Sequence, residues 1–225
     1  MQAGNAHYRT GKDLPDTVAM FPLTGALLLP GGQMPLNIFE PRYLAMFDDA
    51  LAGNRLIGIV QPVFDRSGEA TEEGNPEVCG VGCIGRLVSH SETGDGRYIV
   101  SLIGVCRARI IEECQTRKPY RTFRVAPFLA DLAPDESADH VDRSALLSSF
   151  KAYLDANQLE VDWNSVQRAS NMTLVNSMSM MAPYGPPEKQ ALLEAPDLKT
   201  RAETLIAITE IALAKTSDDY GSALQ

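Results

Sequence analysis

The hydrophobic pattern changes period once along the chain, near residue 130, and nothing else constrains the fold as much. Upstream, apolar residues fall in strand-length runs broken by glycine and proline. Downstream they recur every three to four residues. Strands gathered in one part and helices in the other predict an α+β fold, not an alternating βαβ arrangement.

In the upstream part, Thr17–Leu23 is short and apolar, with Pro22 marking an edge or a bend. Leu56–Val60 is a second run, and Cys83–Ser91 alternates in part. Thr93-Gly94-Asp95-Gly96 supplies hairpin-turn residues, and Arg97–Ile111 reads as the returning strand. Gly104, in its middle, marks a bulge or a barrel corner. Arg121–Leu129 is a further strand. Such strands predict a small closed or half-closed barrel over 17–130. One helix interrupts it. Pro41 suits a first helical position, Tyr43, Leu44, Phe47 and Leu51 share a face, and Gly53 is a stop. Glu40 and Arg42 flank that helix start.

Residues 131–142 are acidic, contain Pro134 and read as a linker. A helical subdomain follows over 143–215. Leu146, Phe150, Tyr153 and Leu154 share one face. Leu174, Met178 and Met181 step by four and three on another. Asp162 and Asp197 are placed to cap helices, and Pro186-Pro187 opens one. Arg201 lies on the apolar stripe of the last helix, so it should reach solvent or pair with a carboxylate. Glu194, or else Glu188, is the expected partner of a structural ion pair.

The chemistry-bearing motifs are sparse. Gly80–Gly85 matches G-x-G-x-x-G, but a strand follows it where a dinucleotide site needs a helix. No P-loop, G-x-S-x-G or H-E-x-x-H occurs. Cys79 and Cys83 form a half-site without a second close pair, so neither metal nor cofactor is expected. The carboxylate pairs Asp48-Asp49, Glu72-Glu73, Glu112-Glu113 and Asp218-Asp219 read as solvated charge. No catalytic constellation emerges, and a non-enzyme is expected.

A net charge of −9 argues against nucleic acid and anionic membranes as general partners. Against that average, arginines crowd the later strands. Arg86, Arg107, Arg109 and Arg121 are the candidates for an anion or RNA surface, the alternative being a solvated outer face. There is neither a signal-peptide core nor an apolar span of membrane length, so the cytoplasm is the expected location. Met172, Met178, Met180 and Met181 lie within ten residues. They are either core filler or an adaptable apolar surface.

The order of these features resembles a known family. Phe21–Tyr43, "FPLTGALLLPGGQMPLNIFEPRY", is similar to the start of the N-terminal domain of ATP-dependent Lon proteases. Val81–Leu87, Asp95–Ile110 and Glu188–Leu213 resemble the strands and closing helix that follow. The likeness runs from Val18 to about Leu213, and the Phe39-Glu40-Pro41-Arg42-Tyr43 junction resembles most that of stand-alone relatives, without ATPase or protease modules. It implies a PUA-like β pseudobarrel with one inserted helix, followed by a C-terminal helical bundle. It also implies binding of unfolded or degron-bearing polypeptide, with a role in protein quality control. Small-ligand binding is a further alternative. Leu28, Met34, Phe39, Arg42, Tyr43, Met178 and Met181 are the candidate polypeptide contacts. The sequence does not set the oligomeric state.

Overall fold

A computed structural model of the chain describes residues 1–64 and 75–222. It opens with a small hairpin, β1 (Gln2–Ala3) and β2 (Ala6–His7), for which the sequence carries no strand-length run. Then come β3 (Thr17–Pro22), β4 (Gln33–Ile38), α1 (Pro41–Ala52), β5 (Leu56–Val60), β6 (Val81–Glu92), β7 (Tyr98–Cys114) and β8 (Thr122–Pro127). The helical part holds α2 (Arg143–Ala156), α3 (Trp163–Arg168), α4 (Asn171–Met181), α5 (Pro186–Glu194) and α6 (Leu198–Ser222).

The large sheet runs β4-β7-β6-β5-β3-β8, and β7 also pairs with β8. That extra pairing closes β7, β6, β5, β3 and β8 into a barrel, with β4 laid against the first part of β7. The length of β7 makes this possible. Tyr98–Ile103 pairs with β4, and Ala108–Cys114 pairs with β8. Gly104 sits where the partner changes, and the β6–β7 register shifts beside it. The β3–β5 pairing is parallel, and the other pairings of the large sheet are antiparallel. Pro35 lies in β4, an edge strand where a missing N–H is tolerated.

Helix α1 starts at Pro41 and stops at Gly53. It buries Tyr43, Met46, Phe47 and Ala50, whereas Leu44 and Leu51 are only half-buried. The buried face is therefore turned from the expected one. Two apolar cores result. Val18, Met20, Leu56, Ile84, Val105 and Phe123 belong to one core, formed by the barrel strands and the N-terminal segment. The other joins Leu28, Leu29, Phe47 and Leu102 to Leu146, Leu174, Leu192 and Leu205. The helices thus share a core with the outside of the barrel.

Polar contacts reinforce that junction. Gln61, 2% exposed, accepts from Gly25 N at 3.0 Å and donates to Pro186 O and Gln190 Oε1 at 3.0 and 3.2 Å. The acidic stretch 131–142 carries two short 3-10 turns, Leu129–Leu132 and Glu136–His140, and buries Leu132 and Val141. The Asp135 carboxylate accepts from Ser137 N (2.9 Å), Ser137 Oγ (2.6 Å) and Leu198 N (2.9 Å), joining this stretch to the start of α6. Burial works to raise its pKa, but these donors outweigh it and hold the carboxyl below the usual aspartate value. A lowered folded pKa gives stability that is present above the unfolded value, about 3.9, and lost as pH falls through the folded one. Asp135→Asn is expected to cost about 1 kcal/mol at pH 7, as a weakened cap. It should also show a shallower loss between pH 5 and 2. Urea midpoints across that range test this, and an acid limb as steep as the parent's would refute the linkage.

Candidate functional site

An apolar opening with a buried floor lies in the helical part. Three side-chain caps set the helix starts around it. Asp142 accepts from Ala145 N, Asp162 from Asn164 N and Ser170 from Thr173 N. With α2, α3 and α4 so placed, Leu154, Val166 and Leu174 form a buried floor. Phe150, Tyr153 and Met178 are half-buried walls, and Leu159 and Met181 are exposed, at 51% and 83%. The cavity measures about 410 Å³, within the usual range for ligand sites. Tyr184 packs against Tyr153 at 6.3 Å, and its hydroxyl shares a 2.7 Å hydrogen bond with Thr209 Oγ1 on α6. Phe150 meets Trp163 edge-on at 6.3 Å.

Burial raises the phenol pKa of Tyr153 and Tyr184, so neither is an acid near neutral pH. Glu160 is the charged residue of the lining. The lining is thus mostly apolar surface, with no pair of acidic and basic side chains in it. Met178 and Met181, both expected from the sequence as contacts, lie in it together. Phe150, Tyr153, Leu159 and Tyr184 line the same cavity and were not among the expected contacts. The helical face at 150 and 153 was legible, but its meeting with residues 178–184 depends on tertiary packing.

The other expected contacts lie elsewhere. Leu28, 1% exposed, belongs to the core, which removes it as a contact; Tyr43, 6% exposed, is also packed in the core but borders a cavity that Arg42 lines. Leu28 is wedged beside Gly85 and Gly104 on β6 and β7, and Tyr43 stacks on Phe21 with centroids 4.1 Å apart. Met34 is half-buried on β4, and Phe39 is 62% exposed. Arg42 donates through Nε to Glu40 Oε2 at 2.9 Å and lies 4.6 Å from the Tyr43 ring centroid. With Pro22, Tyr120 and Arg121 it lines a second cavity of about 300 Å³.

The arginine candidates do not form one basic face. Arg107 is 6% exposed and grips Asp131 through Nε (2.9 Å) and Nη2 (2.7 Å), both side chains being buried. It also donates to Leu193 O at 3.2 Å, to Pro196 O at 3.1 Å and to Ala195 O. Desolvation opposes its charge, but Asp131 reverses this and holds its pKa above the usual arginine value. Arg86 donates to Tyr8 Oη, Asn54 O and Asn5 Oδ1, and Arg121 to Glu113 and Pro76 O. Arg109 alone of the four is exposed, 6.0 Å from the Phe128 ring. The strand alternation places Arg107 and Arg109 on one face, but the α5–α6 turn covers that face at Arg107.

Arg201 is buried, at 4% exposure, but the expected pair with Glu194 is absent. Its Nε donates to Leu192 O at 2.9 Å and its Nη1 to Asn176 Oδ1 at 3.2 Å, while Glu194 accepts from Gln190 at 2.7 Å. The helix end at Leu192 offers a bare carbonyl where Arg201 emerges, so the guanidinium meets backbone before any carboxylate. Burial and then the like charge of Arg107 push its pKa down to about 10.

Asp49 accepts from Lys118 and Tyr120, and Asp48 from Tyr98. Glu112 and Glu113 pair with Arg124 and Arg121. Glu72 and Glu73, and the side chains of Asp218 and Asp219, lie outside the described residues. Burial pushes the Cys79 thiol up to about 11, which keeps it protonated. Among the described residues no cluster of His, Cys, Asp and Glu could hold a metal ion. Among them, too, no helix is long and apolar enough to cross a membrane.

A family model described as the ATP-dependent protease La (LON) substrate-binding domain matches residues 17–210. Lon protease 2 of Myxococcus xanthus is 26% identical over 227 aligned positions, which cover 95% of this chain and 26% of that protein. The Lon protease of Flavobacterium johnsoniae is 25% identical over 212 positions, 91% of this chain and 25% of its own length. The chain spans about a quarter of the length of these relatives. Among solved structures, the N-terminal domain of Mycobacterium avium complex Lon protease aligns with a TM-score of 0.63 at 20% identity, covering 86% of this chain and 98% of that one. The Lon N-terminal domain protein from Xanthomonas campestris gives 0.60 at 20% identity, with 85% and 97% covered. At that identity the likeness carries the fold.

Proposed function

The chain belongs to the LON substrate-binding domain family, and from this premise we propose that it is a non-catalytic module that binds apolar segments of unfolded or degron-bearing polypeptide in the groove between α2 and α4. The observation that supports this reading is the groove itself, a floored apolar cavity of about 410 Å³ with two methionines and three aromatic rings in its lining. Thioethers and rings adapt to varied apolar side chains, which suits a binder of many sequences. In this reading the chain holds a client without cutting it, as an adaptor in protein quality control. The relatives named Lon protease are about four times longer, so their activity is not carried over. An RNA-binding reading gains no support, because Arg86, Arg107 and Arg121 are engaged with internal partners.

The test is fluorescence anisotropy with a labelled, permanently unfolded carboxymethylated protein. The double substitution Met178→Ser and Met181→Ser is expected to weaken binding about tenfold, the loss of roughly 1.4 kcal/mol of apolar contact. Thermal melts check that folding is kept. Unchanged affinity in a folded double variant would sink the groove as the site.

A further inference from the structure

We propose that the groove selects segments that enter as basic amphipathic helices; this rests on the polypeptide-binding reading above and names its client class. The walls decide the conformation. They come from α2, α3, α4, α6 and the connections between them, with no sheet edge among them. The Thr209 hydroxyl is already bound to Leu205 O and Tyr184. An extended segment pressed into such walls would leave N–H and C=O groups without partners, whereas a helix brings its own. Apolar side chains at i, i+3 or i+4, and i+7 then meet Phe150, Tyr153, Met178 and Met181.

The charges decide the flank. Glu160 lines the groove, in the connection that follows α2. Among the described residues, no hydrogen bond or ion pair holds its carboxylate. Helix α2 ends at Ala156 and α4 at Met181, so two negative helix ends lie beside the same opening. Lysine or arginine on the client's polar face would meet Glu160, and acidic residues would be repelled by it and by the chain's net charge of −9.

Four labelled synthetic peptides test this by anisotropy. One is a basic amphipathic helix with a Leu/Phe stripe. The second carries the same stripe with glutamate for lysine, the third the basic composition in scrambled order, and the fourth the basic stripe with two interior prolines. The basic helix is expected to bind about tenfold more tightly than each of the others. Glu160→Gln should narrow the basic-over-acidic ratio about threefold, the size of one exposed charge pair. Equal binding of the basic and acidic helices, or of the helical and proline-broken peptides, would overturn the client class. The groove reading would survive that result if Met178→Ser with Met181→Ser still weakened binding about tenfold. Binding indifferent to both methionines would instead remove the groove itself. Sedimentation showing a dimer that the same double substitution dissolves would assign the groove to a second copy and overturn the proposal.

Discussion

Arg107→Ala is expected to lower the unfolding free energy by about 4 kcal/mol, the cost of breaking a buried ion pair from one side. The side chains of Arg107 and Asp131 are 7% and 9% exposed. Without the guanidinium, the Asp131 carboxylate keeps a bond from the Arg107 backbone N–H at 2.8 Å but loses its charge partner. Three carbonyls at the end of α5, those of Leu193, Ala195 and Pro196, lose a donor together. Buried acceptors without partners cost roughly 1–3 kcal/mol apiece, so the estimate needs only part of that damage. Since Arg107 stands on the barrel and its acceptors on the helices, the substitution also tests whether the two parts melt as one. Guanidinium unfolding followed by two probes, Trp163 fluorescence and far-ultraviolet dichroism, is the measurement. The double variant Arg107→Met with Asp131→Leu should recover much of the loss, because it leaves no stranded charge. A loss below about 1 kcal/mol for Arg107→Ala would mean that the pair is not a buried clamp.

Gly104→Ala is expected to cost about 3 kcal/mol or more, the upper range for overpacking a close-packed site. A Cβ there would stand 2.1 Å from Leu29 O and 2.7 Å from Leu29 C, which are backbone atoms. Backbone yields less readily than the end of a flexible side chain. Gly104 also donates to Gly32 O and accepts from Gly31 N, both at 2.9 Å, so moving it breaks the tie between the Pro30–Gly32 turn and β7. Gly58→Ala provides a contrast. There the clash is with the Met20 side chain at 2.0 Å, and rotation of a thioether can relieve it. The smaller loss is expected for Gly58→Ala, read as urea midpoints at constant m value. The reverse order would show that β7 shifts freely past the Leu29 carbonyl.

Much of the architecture was legible before any coordinates. The change of hydrophobic period separated strands from helices, Thr93–Gly96 placed the hairpin, Gly104 marked the irregular point of β7, and Pro41 and Gly53 bounded α1. These are local signals, because backbone freedom and side-chain period are properties of a few neighbouring residues. The misses were of another kind. Arg107 and Arg109 share a strand face by alternation, yet one is sealed under the α5–α6 turn and the other is solvated. Arg201 was read as buried with a carboxylate partner, and it found the carbonyl of Leu192 and the amide of Asn176. Leu28 was read as a contact and turned out to be core.

By itself, then, the sequence determined most of the longer strands and the helices, roughly where they start and stop, and the family to which their order belongs, but not the short β1–β2 hairpin. Periodicity and caps act within one or two turns of chain, so they can be read without coordinates. Only the tertiary structure decided that β7 serves β4 and β8 in turn, that the helices cover one part of the barrel's outer face, and that Phe150 and Tyr153 meet Met178 across a groove. Those outcomes depend on which surfaces come to exclude water together, and residues far apart in the chain do not announce that in their own spacing.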